Sequence, residues 1–220
     1  MKLLLTSAGL VPETKEAFVN LLGKKPEYVR LVFIPTAANP ELDRWYLNKD
    51  KLRLAELGIN MVNEVDIEKE TKETLAPKIA NADVIYVEGG NTFYLMKYAR
   101  ESGFETMVKE FLDKGGVYVG VSAGSMIAGI NIETGNWKHA DKNIVDLKDL
   151  SGMNLVNLVV APHIDETNIE ATREEAAKVA YPVVALSDKQ AILVDGGKIE
   201  IIGPGDRMVF NSPKILTGHI

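Results

Sequence analysis

Residues 117–129 read VYVGVSAGSMIAG, and their order decides how the rest of the chain is read. The run 117–121 is β-branched and aromatic, with the length of a fully buried strand. Gly120-Val121-Ser122-Ala123-Gly124 then matches G-x-S-x-G, and a helix-compatible run, SMIAGI, follows at 125–130. Strand, sharp turn and helix is the setting in which this pattern presents an exposed serine on a strained turn. Small neighbours are required because side chains on either side of such a turn collide. The following helix aims its backbone N–H groups and its positive dipole end at the serine, where an oxyanion would develop. The pattern alone also describes a plain glycine-softened turn with a capping serine. The strand–turn–helix setting favours the chemical reading.

Outward from this turn, toward the N-terminus, strand-length apolar runs alternate with helical patterns. Strands are expected at 2–7, 29–34, 60–65 and 84–87, and helices at 14–22, 42–57, 71–80, 92–100 and 104–114. Pro35 stops the second strand, and Gly58 is placed to cap the second helix. The alternation predicts an α/β fold, a doubly wound and mostly parallel sheet flanked by helices. In such sheets ligands bind beyond the C-terminal ends of the strands. Ser7, Pro35, Glu88 and Ser122 all fall at strand exits.

The C-terminal third reads differently. A strand at 155–160 leads into Pro162-His163, a helix covers 169–180, and a strand at 183–186 ends at Ser187-Asp188. Strands at 191–194 and 198–202 flank DGGK, a β-hairpin signal that predicts an antiparallel extension at one edge of the sheet. No internal repeat, low-complexity tract or Pro/Ser-rich linker interrupts the chain. A single catalytic domain over 1–220 is expected.

Composition narrows the function. The 220 residues are 46% hydrophobic, enough for a sizeable core, and carry a net charge of −6, which argues against a general nucleic-acid binder. There is no apolar run of about 18 residues, so no membrane association is expected. The opening MKLLLTSAGL holds an apolar stretch of only Leu3–Leu5 and reads as a buried first strand rather than a signal peptide. Cysteine is absent, which excludes a disulfide framework and a thiolate nucleophile and agrees with a cytoplasmic location. Three scattered histidines and no cysteine leave no metal-ligand spacing, and neither a P-loop nor G-x-G-x-x-G is present. No metal or cofactor is expected. The partner expected is a small peptide substrate, with no nucleic acid and no membrane, and a monomer and a homodimer both remain open.

A serine hydroxyl needs a base. Of the histidines, His219 adjoins the C-terminus and His139 sits in the polar run WKHADK. His163 follows NLVVAP at a strand exit, on the side where Ser122 belongs, and is the favoured base. A carboxylate must fix its tautomer. Asp188 also follows a strand, whereas Asp165 and Glu166 suit a turn or helix start. Asp141 is a further candidate, and sequence order does not rank Asp188 above it. A second oxyanion donor is expected from VEGGNTFYL, where Gly89-Gly90 follow the strand at 84–87. Asn91 starts the next helix, as its cap or facing substrate.

Taken in order, EGGNTF, GVSAGSMIAG, APHID, EATRE and ALSD resemble peptidase E, the aspartyl dipeptidases of serine peptidase family S51, with cyanophycinases as more distant relatives. The similarity runs over nearly the whole chain. It implies a fold like the class I glutamine amidotransferases and a triad of Ser122, His163 and Asp188. A peptidase E of this family has Glu at the third position, and Asp141 is the runner-up there. The oxyanion donors implied are the N–H groups of Gly90 and Ala123. Arg173 matches the arginine of a TR motif that reads the side chain of an N-terminal Asp, as a guanidinium forked onto a carboxylate does. From the residues alone, with Glu170, Glu174 and Glu175 around it, Arg173 reads as a solvated helix residue. Glu88 departs from the family, standing where relatives often carry a third glycine. Its carboxylate is expected either to repel an acidic substrate or to bind the substrate's α-ammonium. Val121 replaces a bulkier residue of some relatives. The function expected is hydrolysis of Asp-X dipeptides through an acyl-enzyme. The alternatives are a cyanophycinase-like hydrolase of β-aspartyl peptides and a non-catalytic binder on the same scaffold.

Overall fold

The computed structural model describes residues 1–137 and 141–211. His139 and His219 lie outside the described residues. The first half of the chain alternates as the patterning predicts. Strands β1 (Lys2–Thr6), β2 (Arg30–Ile34), β3 (Met61–Glu64), β4 (Val84–Val87) and β5 (Val117–Val121) are joined through helices α1 (Pro12–Leu22), α2 (Trp45–Glu56), α3 (Lys72–Ile79), α4 (Thr92–Glu101) and α5 (Phe104–Asp113). A single turn, α6 (Ala123–Met126), follows β5. Then come β6 (Val159–Ala161), α7 (Ile169–Ala176), β7 (Val183–Ala185), the hairpin β8 (Ala191–Asp195) and β9 (Lys198–Ile202), and β10 (Met208–Phe210).

The main sheet has seven strands in the order β3-β2-β4-β5-β1-β8-β9. Its first five are parallel, and the hairpin adds to β1 antiparallel, as the DGGK signal predicts. Successive side chains of a strand point to opposite faces, so the apolar runs feed two cores. Leu3, Leu5, Ile85 and Val87 pack with Leu75 of α3, Phe93 of α4 and Phe104 of α5. Leu4, Phe33 and Tyr86 pack on the other face with Phe18 of α1 and Leu54 of α2. Both faces are therefore covered by helices, which a parallel sheet requires. The exits of β1, β4 and β5 lie side by side, with Leu5 and Val87 both opposite Gly120.

Several boundaries differ from the sequence reading, each for a local reason. The helix expected from 42 begins at Trp45, where the Asp43 carboxylate accepts the Trp45 N–H at 3.2 Å. The helix expected to 180 ends at Ala176, because Asn211 Nδ2 takes the carbonyls of Ala176 and Val179. The run after Ser122 makes only one helical turn. The carbonyls of Ile127, Ala128 and Gly129 instead accept N–H groups of Met153, Leu155 and Asn154. The same bonds hold residue 155 out of the strand expected at 155–160, which is reduced to Val159–Ala161. A second, three-stranded sheet, β10-β7-β6, was not anticipated; its strands have three residues each, too short to show periodicity.

Candidate active site

The serine turn is strained and tightly seated. Ser122 has φ 48° and ψ −107°, a conformation a non-glycine residue holds only when its surroundings impose it. The glycines on either side are there for closeness of approach. A Cβ on Gly120 would lie 2.5 Å from the Gly124 carbonyl oxygen, and one on Gly124 would lie 2.2 Å from the Val87 oxygen. Two buried hydroxyls brace the turn. Tyr118 donates to the Gly124 carbonyl at 2.6 Å, and Ser125 donates to the carbonyls of Thr6 and Gly120 at 2.7 and 2.8 Å. The N–H of Ala123 starts α6 and, like that of Gly90, makes no hydrogen bond among the described residues.

His163 arrives from the second sheet. It follows β6 with φ 59°, and its backbone is held at both ends. Its N–H donates to Ser7 Oγ at 2.8 Å, and its carbonyl accepts from Asn168 Nδ2 at 2.8 Å. Its Nε2 lies 2.9 Å from Ser122 Oγ, and its Nδ1 lies 2.7 Å from Asp188 Oδ1. The hydrogen bond to His163 holds the Asp188 carboxyl below its ordinary value of 3.8, against the opposing effect of burial, with help from the Ser7 hydroxyl. Asp188 is therefore ionised at neutral pH and only accepts. That assigns the ring proton to Nδ1 and leaves Nε2 to accept from the serine hydroxyl.

Two residues that the sequence reading did not assign to the site hold this arrangement. Ser7, fully buried at the exit of β1, donates to Asp188 Oδ1 at 3.0 Å while accepting from the His163 N–H. Its place at a strand exit was the available signal. Gln190 is buried behind the Asp188 turn. Its Oε1 accepts from Ser187 N, and its Nε2 donates to the carbonyls of Pro204 and Asp206. No local pattern distinguishes such a glutamine.

The other expected residues divide. Asp141 is near His163 but not bonded to it; its Oδ2 accepts the Thr92 N–H at 2.7 Å, and burial raises its carboxyl above the ordinary 3.8. Asp188, and not Asp141, is the carboxylate at His163 Nδ1. Asn91 is a cap rather than a substrate contact. Its Oδ1 accepts from Tyr94 N at 2.9 Å and its Nδ2 donates to the Lys142 carbonyl at 2.7 Å, so both ends of the amide are engaged. Glu88 corrects both readings made of it. It is 1% exposed, and burial together with the adjacent Asp50 raises its carboxyl well above 4.5. Its Oε2 accepts from Gly89 N at 3.0 Å. Burial disfavours its charged form, so Glu88 offers little charge to a substrate, and its Oε1 has no hydrogen-bond partner among the described residues. Arg173 stands off the cavities around Ser122. Its guanidinium lies over the Phe210 ring at 5.4 Å and pairs with Glu170 at 3.5 Å, because α7 packs that face toward β10.

Two cavities meet at Ser122 and His163. One, about 300 Å³, runs toward α7 and is lined by Thr134, Trp137, Asn168 and Thr172. The other, about 420 Å³, runs toward α2 and is lined by Trp45, Tyr46, Lys49, Glu88 and Gly90. Asp141 borders both. Among the described residues no cluster of carboxylates and histidines suits a metal ion, and no helix is long and apolar enough to cross a membrane.

Residues 3–202 match the model of peptidase family S51. The chain belongs to that family. It is 31% identical to peptidase E of Escherichia coli over 96% of this chain and 94% of that one. It is 33% identical to an uncharacterized peptidase of Listeria monocytogenes, over 90% of this chain and 96% of that one. A crystal structure of a peptidase E-like protein of Listeria monocytogenes superposes with a TM-score of 0.79 at 28% identity, covering 94% of this chain and 98% of that one. A peptidase of an acI-B1 actinobacterium shares the fold, with a TM-score of 0.73 at 17% identity over 96% of this chain and 91% of that one. The S51 chain is a serine-type peptidase, a hydrolase with a mixed α/β fold and a mostly parallel central sheet.

Proposed function

We propose that this peptidase removes an N-terminal aspartate from dipeptides through an acyl-enzyme on Ser122. The observation that carries the reading is the continuous hydrogen-bonded path from Ser122 Oγ through His163 to Asp188, at 2.9 and 2.7 Å. Ser122 attacks the scissile carbonyl as its proton passes to His163 Nε2, and Asp188 stabilises the imidazolium. The free N–H groups of Gly90 and Ala123 receive the oxyanion. His163 returns the proton to the departing amine, and the ester is hydrolysed by a water that His163 activates.

The N-terminal residue occupies the α7-side cavity. Asp141, half-buried and acting as an acceptor, binds its α-ammonium, which restricts cleavage to the chain terminus. Thr172 lines this cavity and Arg173 follows it directly. The exposed Arg173 side chain exchanges its solvent-facing pair with Glu170 for the substrate's β-carboxylate. Such exposed pairs are worth at most about 1 kcal/mol and impede the exchange little.

The test is a panel of Asp-Leu, Ala-Leu and β-aspartyl-Arg. Asp-Leu is expected to be the best substrate, and Ser122→Ala to reduce its kcat by about 10⁴-fold or more. Arg173→Ala is expected to lower the preference for Asp-Leu over Ala-Leu by about 10- to 100-fold. Undiminished turnover in Ser122→Ala would remove the acyl-enzyme, and an unchanged preference in Arg173→Ala would remove Arg173 as the reader. Cleavage of β-aspartyl-Arg alone would favour the cyanophycinase-like activity.

A further inference from the structure

The larger cavity, on the α2 side, is not used by the N-terminal residue, yet Ser122 and His163 stand in its wall. Its charges are unevenly committed. Arg53 is spent within the protein, with Nη1 donating to Asp50 Oδ1 at 2.8 Å and to the Ala8 carbonyl at 3.1 Å. Asp50 is engaged by Arg53 and by the Tyr86 hydroxyl, and burial disfavours the charged form of Glu88. Lys49 is different. It is exposed, one helical turn after Trp45, and has no carboxylate partner among the described residues. Its ammonium rests 4.9 Å from the Trp45 ring centroid. It lines this cavity together with Ser122, His163 and Asp188. Trp45 is itself 59% exposed and lines the same cavity, an apolar wall beside the ammonium.

A dipeptide split at its only peptide bond releases an amino acid whose carboxylate is two bonds from the departing nitrogen. A tripeptide or a C-terminal amide has no charge at that place. A cation held over an exposed ring loses little on turning to a carboxylate. We propose that the α2-side cavity receives the leaving residue and that Lys49 binds its free α-carboxylate, making the enzyme select dipeptides over longer or blocked peptides. The leaving residue's side chain lies along Trp45. This rests on the peptidase reading and on placing the N-terminal residue toward α7.

The experiment compares kcat/KM for Asp-Leu and for Asp-Leu amide in the wild type, Lys49→Gln and Lys49→Glu. The wild type is expected to prefer the free acid by about 10-fold or more, as one charge-assisted contact allows. Lys49→Gln is expected to level the two substrates, mainly through KM for the acid, and Lys49→Glu to favour the amide. Turnover of the amide within about 2-fold across all three proteins shows that the fold and reacting groups are intact. An acid-to-amide ratio in Lys49→Gln equal to that of the wild type overturns the assignment, as does a wild type that prefers the amide. If Ala-Leu proves as good as Asp-Leu, the aspartate preference fails on its own, and the Lys49 ratio is read on Ala-Leu and its amide. Wild-type inactivity on every dipeptide overturns both.

Discussion

The two sheets hold the residues of the candidate site in different ways. The seven-stranded sheet carries Ser122 on a strand buried at every position, braced by hydroxyls and close backbone packing. The three-stranded sheet carries His163 at the end of one three-residue strand and leads to Asp188 at the end of another. The side chains of His163 and Asp188 are 50% and 63% exposed. Ser122 is held by packing, and His163 and Asp188 by a few polar bonds across the seam. Substitutions on the large sheet should therefore damage stability and activity together, while those at the seam should damage activity first.

The largest expected effect tests which carboxylate belongs to the seam. Asp188→Asn keeps the shape but favours the wrong tautomer of His163, and kcat should fall by about 10³- to 10⁴-fold. Asp141→Asn should instead raise KM by about 10- to 100-fold with kcat largely kept, since it loses a contact to the substrate ammonium. If the two variants lost kcat equally, the separation of roles would fail.

A smaller effect tests the seam itself. Ser7→Ala removes the hydroxyl that joins the His163 N–H to Asp188, and should lower kcat by about 10-fold with little change in KM. Ser7→Thr keeps the hydroxyl and should recover part of the loss. A Ser7→Ala enzyme with full kcat would mean that packing alone positions the second sheet.

The smallest effect lies on the large sheet and is read in stability against pH. Burial raises the Glu88 carboxyl well above 4.5 in the folded state, so above pH 4.5 the folded state retains proton that the unfolded state has released. Unfolding free energy therefore falls as pH rises from about 4.5 toward the folded value. Glu88→Gln keeps the hydrogen bond from the Gly89 N–H and removes the titrating carboxyl. In thermal melts its advantage over the wild type should widen from pH 5 to pH 8, and parallel curves would refute the buried proton.

The legibility of this molecule follows the same division. The alternating runs that build the parallel sheet are long enough to show their period, so the strands, the two-faced cover of helices and the Ser122 turn were all readable. The hairpin was readable because DGGK is a local turn signal. The three-residue strands of the second sheet carry no period, and β10 was missed for that reason. Among site residues, Ser122 and His163 were legible through their strand exits and the scarcity of histidine. Glu88 was misread because its sequence neighbours do not reveal Asp50, which approaches from α2. Asn91 was left between two roles that only the position of Lys142 decides.

What the sequence determined by itself was the chemistry available: a serine on a strained turn, a favoured base and a short roster of acids. Those choices depend on local pattern and residue type, which are written along the chain. The tertiary structure decided the partnerships: Asp188 rather than Asp141 at His163, Ser7 as the bond across the seam, Arg173 turned toward Phe210, and Lys49 over Trp45 in the cavity that Ser122 borders. These depend on distances between residues as many as 181 positions apart, which form only when the two sheets meet.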